Sequence, residues 1–179
     1  MKRKVLFLCT KNSARSQMAE AILIHRGSAN FIAYSAGSNP AQAIHPFALE
    51  VLGNAGFDMS EKNPKPMDEY IGEDFDFIIT LCDKMKEECP VFPGKPILGH
   101  WGMPDPVEYE GTEEERIRYF EQTMNDIAER INLFLSLPIE KLDRLALELK
   151  PNFCTKSLRR FSGAASRTPT SGGPWVLLN

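Results

Sequence analysis

The sequence predicts an α/β protein: a single doubly wound domain with a four-stranded parallel sheet flanked by helices. Three observations lead there. The candidate strands are short, continuously apolar runs rather than alternating ones, as strands buried on both faces are. They alternate along the chain with stretches of helical period, and that order feeds parallel strands through helical crossovers. The helical stretches also carry recognisable start and stop signals.

Lys4–Leu8 is the first apolar run. From about Ser13 to Arg26, Met18, Ala21, Ile22 and Ile24 fit an amphipathic helix, with Gly27 where a C-terminal cap belongs. Phe31–Ser35 is a second strand, ended by Ala36-Gly37. Pro46 can open a helix through about Leu52, closed by Gly53 and Gly56. Residues 75–81 (FDFIITL) form the strongest buried strand, and Pro96–Leu98 a weak fourth. Thr112-x-x-Glu115 is a capping box. Ile117, Phe120, Met124, Ile127, Ile131 and Phe134 then recur at spacings of 3 and 4, a helix with one core-facing stripe.

The domain is expected to end near residue 150. Residues 151–179 hold four basic and no acidic residues, and 13 of these 29 are Ser, Thr, Gly or Pro. That composition predicts a basic, poorly ordered tail rather than a second domain. The whole chain carries a net charge of -3, which gives no reason to expect nucleic acid as a partner. Its N-terminus offers five apolar residues before Thr10, too few for a signal-peptide core, and no transmembrane run follows. The expected compartment is the cytoplasm, where thiols stay reduced. Cys9, Cys82, Cys89 and Cys154 are therefore read as chemistry, packing or metal ligands before structural bridges.

The chemistry concentrates in residues 7–18, FLCTKNSARSQM. Ligands of an open parallel sheet bind beyond the carboxyl ends of its strands, and the loop from Cys9 to Arg15 lies there, leading into a helix N-terminus. Unpaired amides and the helix dipole favour an anion at such a terminus. The loop lacks both nucleotide-binding glycine patterns; it offers a thiol at its start and a guanidinium at its end. Arg15 can grip a tetrahedral oxyanion through two parallel hydrogen bonds, and Ser16 can donate to Cys9. The same field is expected to lower the Cys9 pKa and make it a nucleophile.

C-T-K-N-S-A-R-S-Q-M-A-E resembles the signature loop of the low-molecular-weight protein tyrosine phosphatases, and more closely that of the thioredoxin-coupled arsenate reductases built on the same fold. The similarity continues through Y-S-A-G (34–37), T-L-C (80–82), C-P (89–90) and H-W-G-M-P-D-P (100–106), covering about residues 3–137. It implies a fold of that type, arsenate as substrate, and an oxyanion held by Thr10, Lys11, Asn12, Ser13, Ala14, Arg15 and Ser16. Asp105 matches the family's general acid. Two departures favour the reductases over the phosphatases: Ala14 stands where phosphatases commonly have a second cysteine, and Val107 where they have a tyrosine after D-P.

Ester hydrolysis needs no further thiol, but arsenate reduction needs two electrons. Cys82 follows the strong strand and should lie at the same sheet edge as Cys9. Cys89 comes seven residues later; on an intact helix its Cα would be about 10 Å from that of Cys82, beyond the ~4.4–6.8 Å of a disulfide. The segment is therefore expected to unwind as a disulfide passes from Cys9–Cys82 to Cys82–Cys89, for thioredoxin to reduce, glutaredoxin with glutathione being the alternative donor. C-x6-C is not a usual zinc spacing, so no metal centre is expected. The resemblance implies a potassium site in some relatives, matched here by Asn12, Glu20 and Ser35. Where those relatives have an acidic residue this chain has Asn63-Pro64-Lys65, and the Lys65 ammonium is expected to take the cation's place. Potassium is thus the one candidate cofactor. His25 and His45 read as surface or helix-end residues and Tyr109 as a surface loop residue. Rival readings are a tyrosine phosphatase and a non-catalytic, redox-sensing oxyanion binder. A monomer is expected, with no nucleic-acid or membrane partner.

Overall fold

The computed structural model describes residues 1–138. The predicted tail, the boundary near residue 150 and Cys154 lie outside the described residues. Four strands, β1 (Arg3–Cys9), β2 (Phe31–Gly37), β3 (Phe77–Thr80) and β4 (Ile97–His100), form one sheet in the order β2-β1-β3-β4, every pair parallel. Three helices lie between them, α1 (Arg15–Gly27), α2 (Pro46–Asn54) and α3 (Asp83–Glu88), and α4 (Glu113–Ser136) follows β4, entered through the expected Thr112–Glu115 capping box. Such a cap stabilises a helix by about 1 kcal/mol.

Alternate residues of β1 feed two cores. Val5 and Phe7 join Met18, Ile22, Ile127, Ile131 and Phe134 under α1 and α4; Leu6 and Leu8 join Ile78, Met85 and Phe92 on the opposite face. Each fully buried Val, Leu, Ile or Phe contributes about 1.5–3 kcal/mol. Both faces are covered, which is why the strands read as apolar runs. No helix among the described residues is long and apolar enough to cross a membrane.

The differences from expectation are local. β3 is shorter than the apolar run at 75–81, because Asp76 turns its carboxylate onto the Lys4 amide (2.8 Å) and Arg3 (3.3 Å) at the sheet's amino edge. α1 starts at Arg15 rather than Ser13, and Ile24 faces solvent at 40% exposure. Short 3-10 turns at Met67–Tyr70 and Pro106–Glu108 carry no periodic signal. Register decides what matters for function. Cys9 pairs with Gly37, Leu8 with Thr80 and Thr80 with His100, so the loops after all four strands meet at one carboxyl edge.

Candidate active site

The loop after β1 is built from its carbonyls outward. The Cys9, Thr10, Lys11 and Ser13 carbonyl oxygens accept from the amides of Ser38 (3.3 Å), Asn39 (2.9 Å), Ala41 (2.9 Å) and His45 (2.9 Å). Peptide planarity then aims the amides of residues 10, 11, 12 and 14 to the other side of the loop. One of them, Asn12 N–H, donates to Cys9 Sγ at 3.1 Å. Gly37 permits this packing: a Cβ there would stand 2.6 Å from the Thr10 carbonyl oxygen. Asn12 makes the bend with φ 50°, in the left-handed region that asparagine tolerates. α1 has neither a side-chain N-cap nor an acidic residue in its first turn, so its terminal amides stay available to an anion.

Asn12 also holds the loop's floor. Its Nδ2 donates to Ser16 Oγ (2.7 Å) and Ser35 Oγ (2.9 Å); its Oδ1 accepts from Gln17 Nε2 (3.1 Å) and the Lys65 amide (2.8 Å). Ser35 donates to Glu20, whose other carboxylate oxygen pairs with Lys62 Nζ at 2.6 Å. The ammonium in this cluster is therefore that of Lys62, not Lys65. Lys65 serves through its backbone, and a single charged residue three positions earlier reaches the buried carboxylate.

Cys9 is 3% exposed, with Ser16 Oγ 2.9 Å from Sγ. Its pKa departs from the expected lowering. Burial raises the thiol above its ordinary value, against the opposing pull of Ser16, the Arg15 guanidinium and the Asn12 and Ser16 backbone amides. Arg15 is in the meantime engaged elsewhere. It is buried, donates to the carbonyls of Met103 (2.8 Å) and Leu81 (3.5 Å), and pairs with Asp105 Oδ2 at 2.6 Å. Asp105 additionally caps the turn Pro106–Glu108 by accepting from the Val107 amide (3.2 Å). It is both the turn residue its D-P context predicts and a neighbour of the cation.

Thr10 Oγ1 lies 3.5 Å from Cys82 Sγ, so the first loop touches the second cysteine directly. Cys82 and Cys89 stand at the two ends of α3, as N-cap and C-cap, and both are thiols. Asn12, Ala14, Arg15 and Ser16 are buried in the loop; Lys11 is exposed at its rim. His45 caps α2 through Nδ1 (3.2 Å from the Phe47 amide) and stacks on Phe120 at 4.8 Å; burial lowers its pKa. His25 packs edge-on against Phe57, and Tyr109 stacks on Tyr119 at 4.5 Å.

The family model of the low molecular weight phosphotyrosine protein phosphatases matches residues 4–146. The chain belongs to that family. The chain is also 39% identical over 133 residues to a Bacillus licheniformis protein named arsenate reductase, covering 74% of this chain and 95% of that one. Among solved structures, an arsenate reductase in an oxidised state matches with a TM-score of 0.62 at 26% identity, over 72% of this chain and 93% of the other. The thioredoxin-dependent arsenate reductase of Corynebacterium glutamicum matches with a TM-score of 0.53 at 35% identity, over 74% of this chain and 63% of that chain. The family's phosphatase-type loop thus occurs here in company with two further thiols. The 38–45 segment that fixes the loop's carbonyls and the Lys62–Glu20 pair carried no sequence signal, since both arise from pairings distant along the chain.

Proposed function

We propose that this protein is an arsenate reductase that passes two electrons through Cys9, Cys82 and Cys89 and is re-reduced by thioredoxin. The observation that carries the reading is the position of α3: a cysteine at each end, the first in contact with Thr10 of the Cys9 loop. Arsenate would enter among the loop amides and draw Arg15 from Asp105. The Cys9 thiol then forms a sulfur–arsenic bond, and its proton passes by way of the freed Asp105 carboxylate to the oxygen that leaves as water. Cys82 attacks Cys9 Sγ; an S–S bond forms, the S–As bond breaks, and its electron pair stays on arsenic, which leaves as arsenite. Cys89 next displaces Cys9 from Cys82, and a reducing dithiol takes over the resulting disulfide. The relay needs reduced thiols, which suits a cytoplasmic enzyme acting as a monomer.

The test is arsenate-dependent NADPH oxidation in the presence of thioredoxin and its reductase. Wild type should turn over, and Cys82→Ser and Cys89→Ser should not. Turnover by both variants at the wild-type rate would remove the relay. Activity with glutathione and glutaredoxin alone would reassign the donor. The Arg15–Asp105 pair favours a second, weaker activity, hydrolysis of p-nitrophenyl phosphate, which both variants should retain.

Potassium does not fit the loop's floor as it stands, because the Lys62 ammonium already meets the buried Glu20 carboxylate. We assign Lys62 the charge-balancing role. The expected outcome is that adding potassium leaves the unfolding midpoint of wild type unchanged against a sodium control but raises that of Lys62→Met. An equal response of the two proteins would overturn the assignment.

A further inference from the structure

A chain of polar groups outside the reacting atoms ties α3 to the sheet. Thr80, the last residue of β3, and His100, the last of β4, are register partners, and both are buried. Thr80 Oγ1 lies 2.8 Å from His100 Nδ1, and His100 Nε2 lies 3.0 Å from Asp83 Oδ1. An ionised carboxylate only accepts, so Nε2 carries the proton toward Asp83, while the Thr80 hydroxyl, which can donate or accept, faces the other ring nitrogen. The imidazole side chain is 4% exposed and the Asp83 side chain 88%, so the buried ring is the fixed member and the carboxylate the held one. Gly102 leaves the space: a Cβ there would meet Nε2 at 2.7 Å and Asp83 Oδ1 at 3.4 Å.

Asp83 is the first residue of α3 and the one after Cys82. α3 is short, and its first end is held otherwise by half-buried Cys82, which packs on both cores and touches Thr10. The helix has six residues, no side-chain N-cap and a single buried side chain, Met85. Isolated helices of such length are unstable in water.

We propose that His100, oriented by Thr80, is a positioning residue that latches Asp83 and thereby holds Cys82 against the Cys9 loop. The proposal rests on the relay reading. Its consequence falls on one step: attack of Cys82 on Cys9 Sγ, in which the S–S bond forms and the S–As electron pair stays on arsenic. The earlier step, attack by Cys9 on an oxyanion, uses none of these groups.

The experiment mixes the reduced full-length chain with arsenate in the absence of any reductant, quenches with acid and counts remaining thiols against time. Hydrolysis of p-nitrophenyl phosphate is measured on the same preparations. Asp83→Ala removes the acceptor, and Gly102→Ala drives a methyl group between ring and carboxylate. Both should slow thiol loss roughly 10- to 100-fold, the range expected when a reacting group is displaced by about an ångström. Asp83→Asn keeps a carbonyl acceptor for Nε2–H and should restore most of the rate. Ester hydrolysis should stay within about twofold throughout, since its groups are untouched. Wild-type rates of thiol loss in Asp83→Ala and Gly102→Ala would overturn the latch alone, as would ester hydrolysis falling in step with thiol loss. Thiols that persist in wild type would overturn the relay reading, and the latch with it.

Discussion

Burial and hydrogen bonding oppose one another at Cys9, and burial prevails with Arg15 paired to Asp105. The raised pKa means that the neutral thiol is the favoured form up to a higher pH than for an exposed cysteine. Ser16 is the largest of the influences pulling it down. Ser16→Ala should therefore shift the pH midpoint of Cys9 alkylation by iodoacetamide upward, measured in Cys82→Ser/Cys89→Ser/Cys154→Ser so that Cys9 is the one thiol left. A midpoint that stays in place or falls would mean that the hydroxyl does not bond the thiolate. Cys9, Arg15 and Ser16 were legible in the sequence because they sit within eight residues, where a strand-to-helix turn fixes their relation. The sign of the pKa shift was not, because it depends on how tightly β2 and the 100–106 segment close over the thiol. Lys62 escaped notice for a similar reason: which of two nearby lysines reaches Glu20 depends on the path of a loop, and no local rule sets that path.

At the scale of elements, the long and the buried were legible and the short were not. α4 declares itself through a capping box and a stripe of six apolar residues, and β1 through an unbroken apolar run. The 3-10 turns are too short for a period to register, and β3 loses its first two predicted residues to the Asp76 carboxylate. α3 was legible only as two cysteines seven apart on a polar surface segment, yet it is the element on which the proposed relay turns. With Met85 as its one buried side chain, α3 should open at a far lower cost than α1, whose burial includes Met18, Ile22 and Leu23. Amide hydrogen exchange on the reduced protein should show residues 84–88 exchanging well before residues 18–23. Adding arsenate without reductant should speed the α3 amides further while leaving those of α1 unchanged. Exchange that is equally slow in both helices would make the unwinding step untenable.

Across the described molecule, the chemistry sits at the sheet's carboxyl edge, while an aromatic group of Phe31, Phe77 and Phe134 packs toward its amino edge. α4 spans that distance: Phe120 stacks on His45 near the reactive loop, and Phe134 packs against Phe31 and Phe77 toward the amino edge. Phe134 is 2% exposed, with ring centroids 5.2 Å from Phe31, 5.0 Å from Phe77 and 6.2 Å from Trp101. Removing this ring leaves a cavity that α4 cannot readily close, because Thr112 caps its start and Ile127 and Ile131 anchor its middle. Phe134→Ala should therefore cost about 3–5 kcal/mol and lower the melting temperature by roughly 10 °C or more. β1 meets this core through Phe7, whose ring lies 5.7 Å from that of Trp101, but the 38–45 segment and Asn12, which fix the Cys9 loop, hold it through hydrogen bonds made elsewhere. Well below its melting point, then, the variant should keep the wild-type kcat for p-nitrophenyl phosphate while its thermal unfolding, followed by circular dichroism, moves down. A loss of kcat equal to the loss of stability would show instead that the amino-edge core and the oxyanion loop move as one unit.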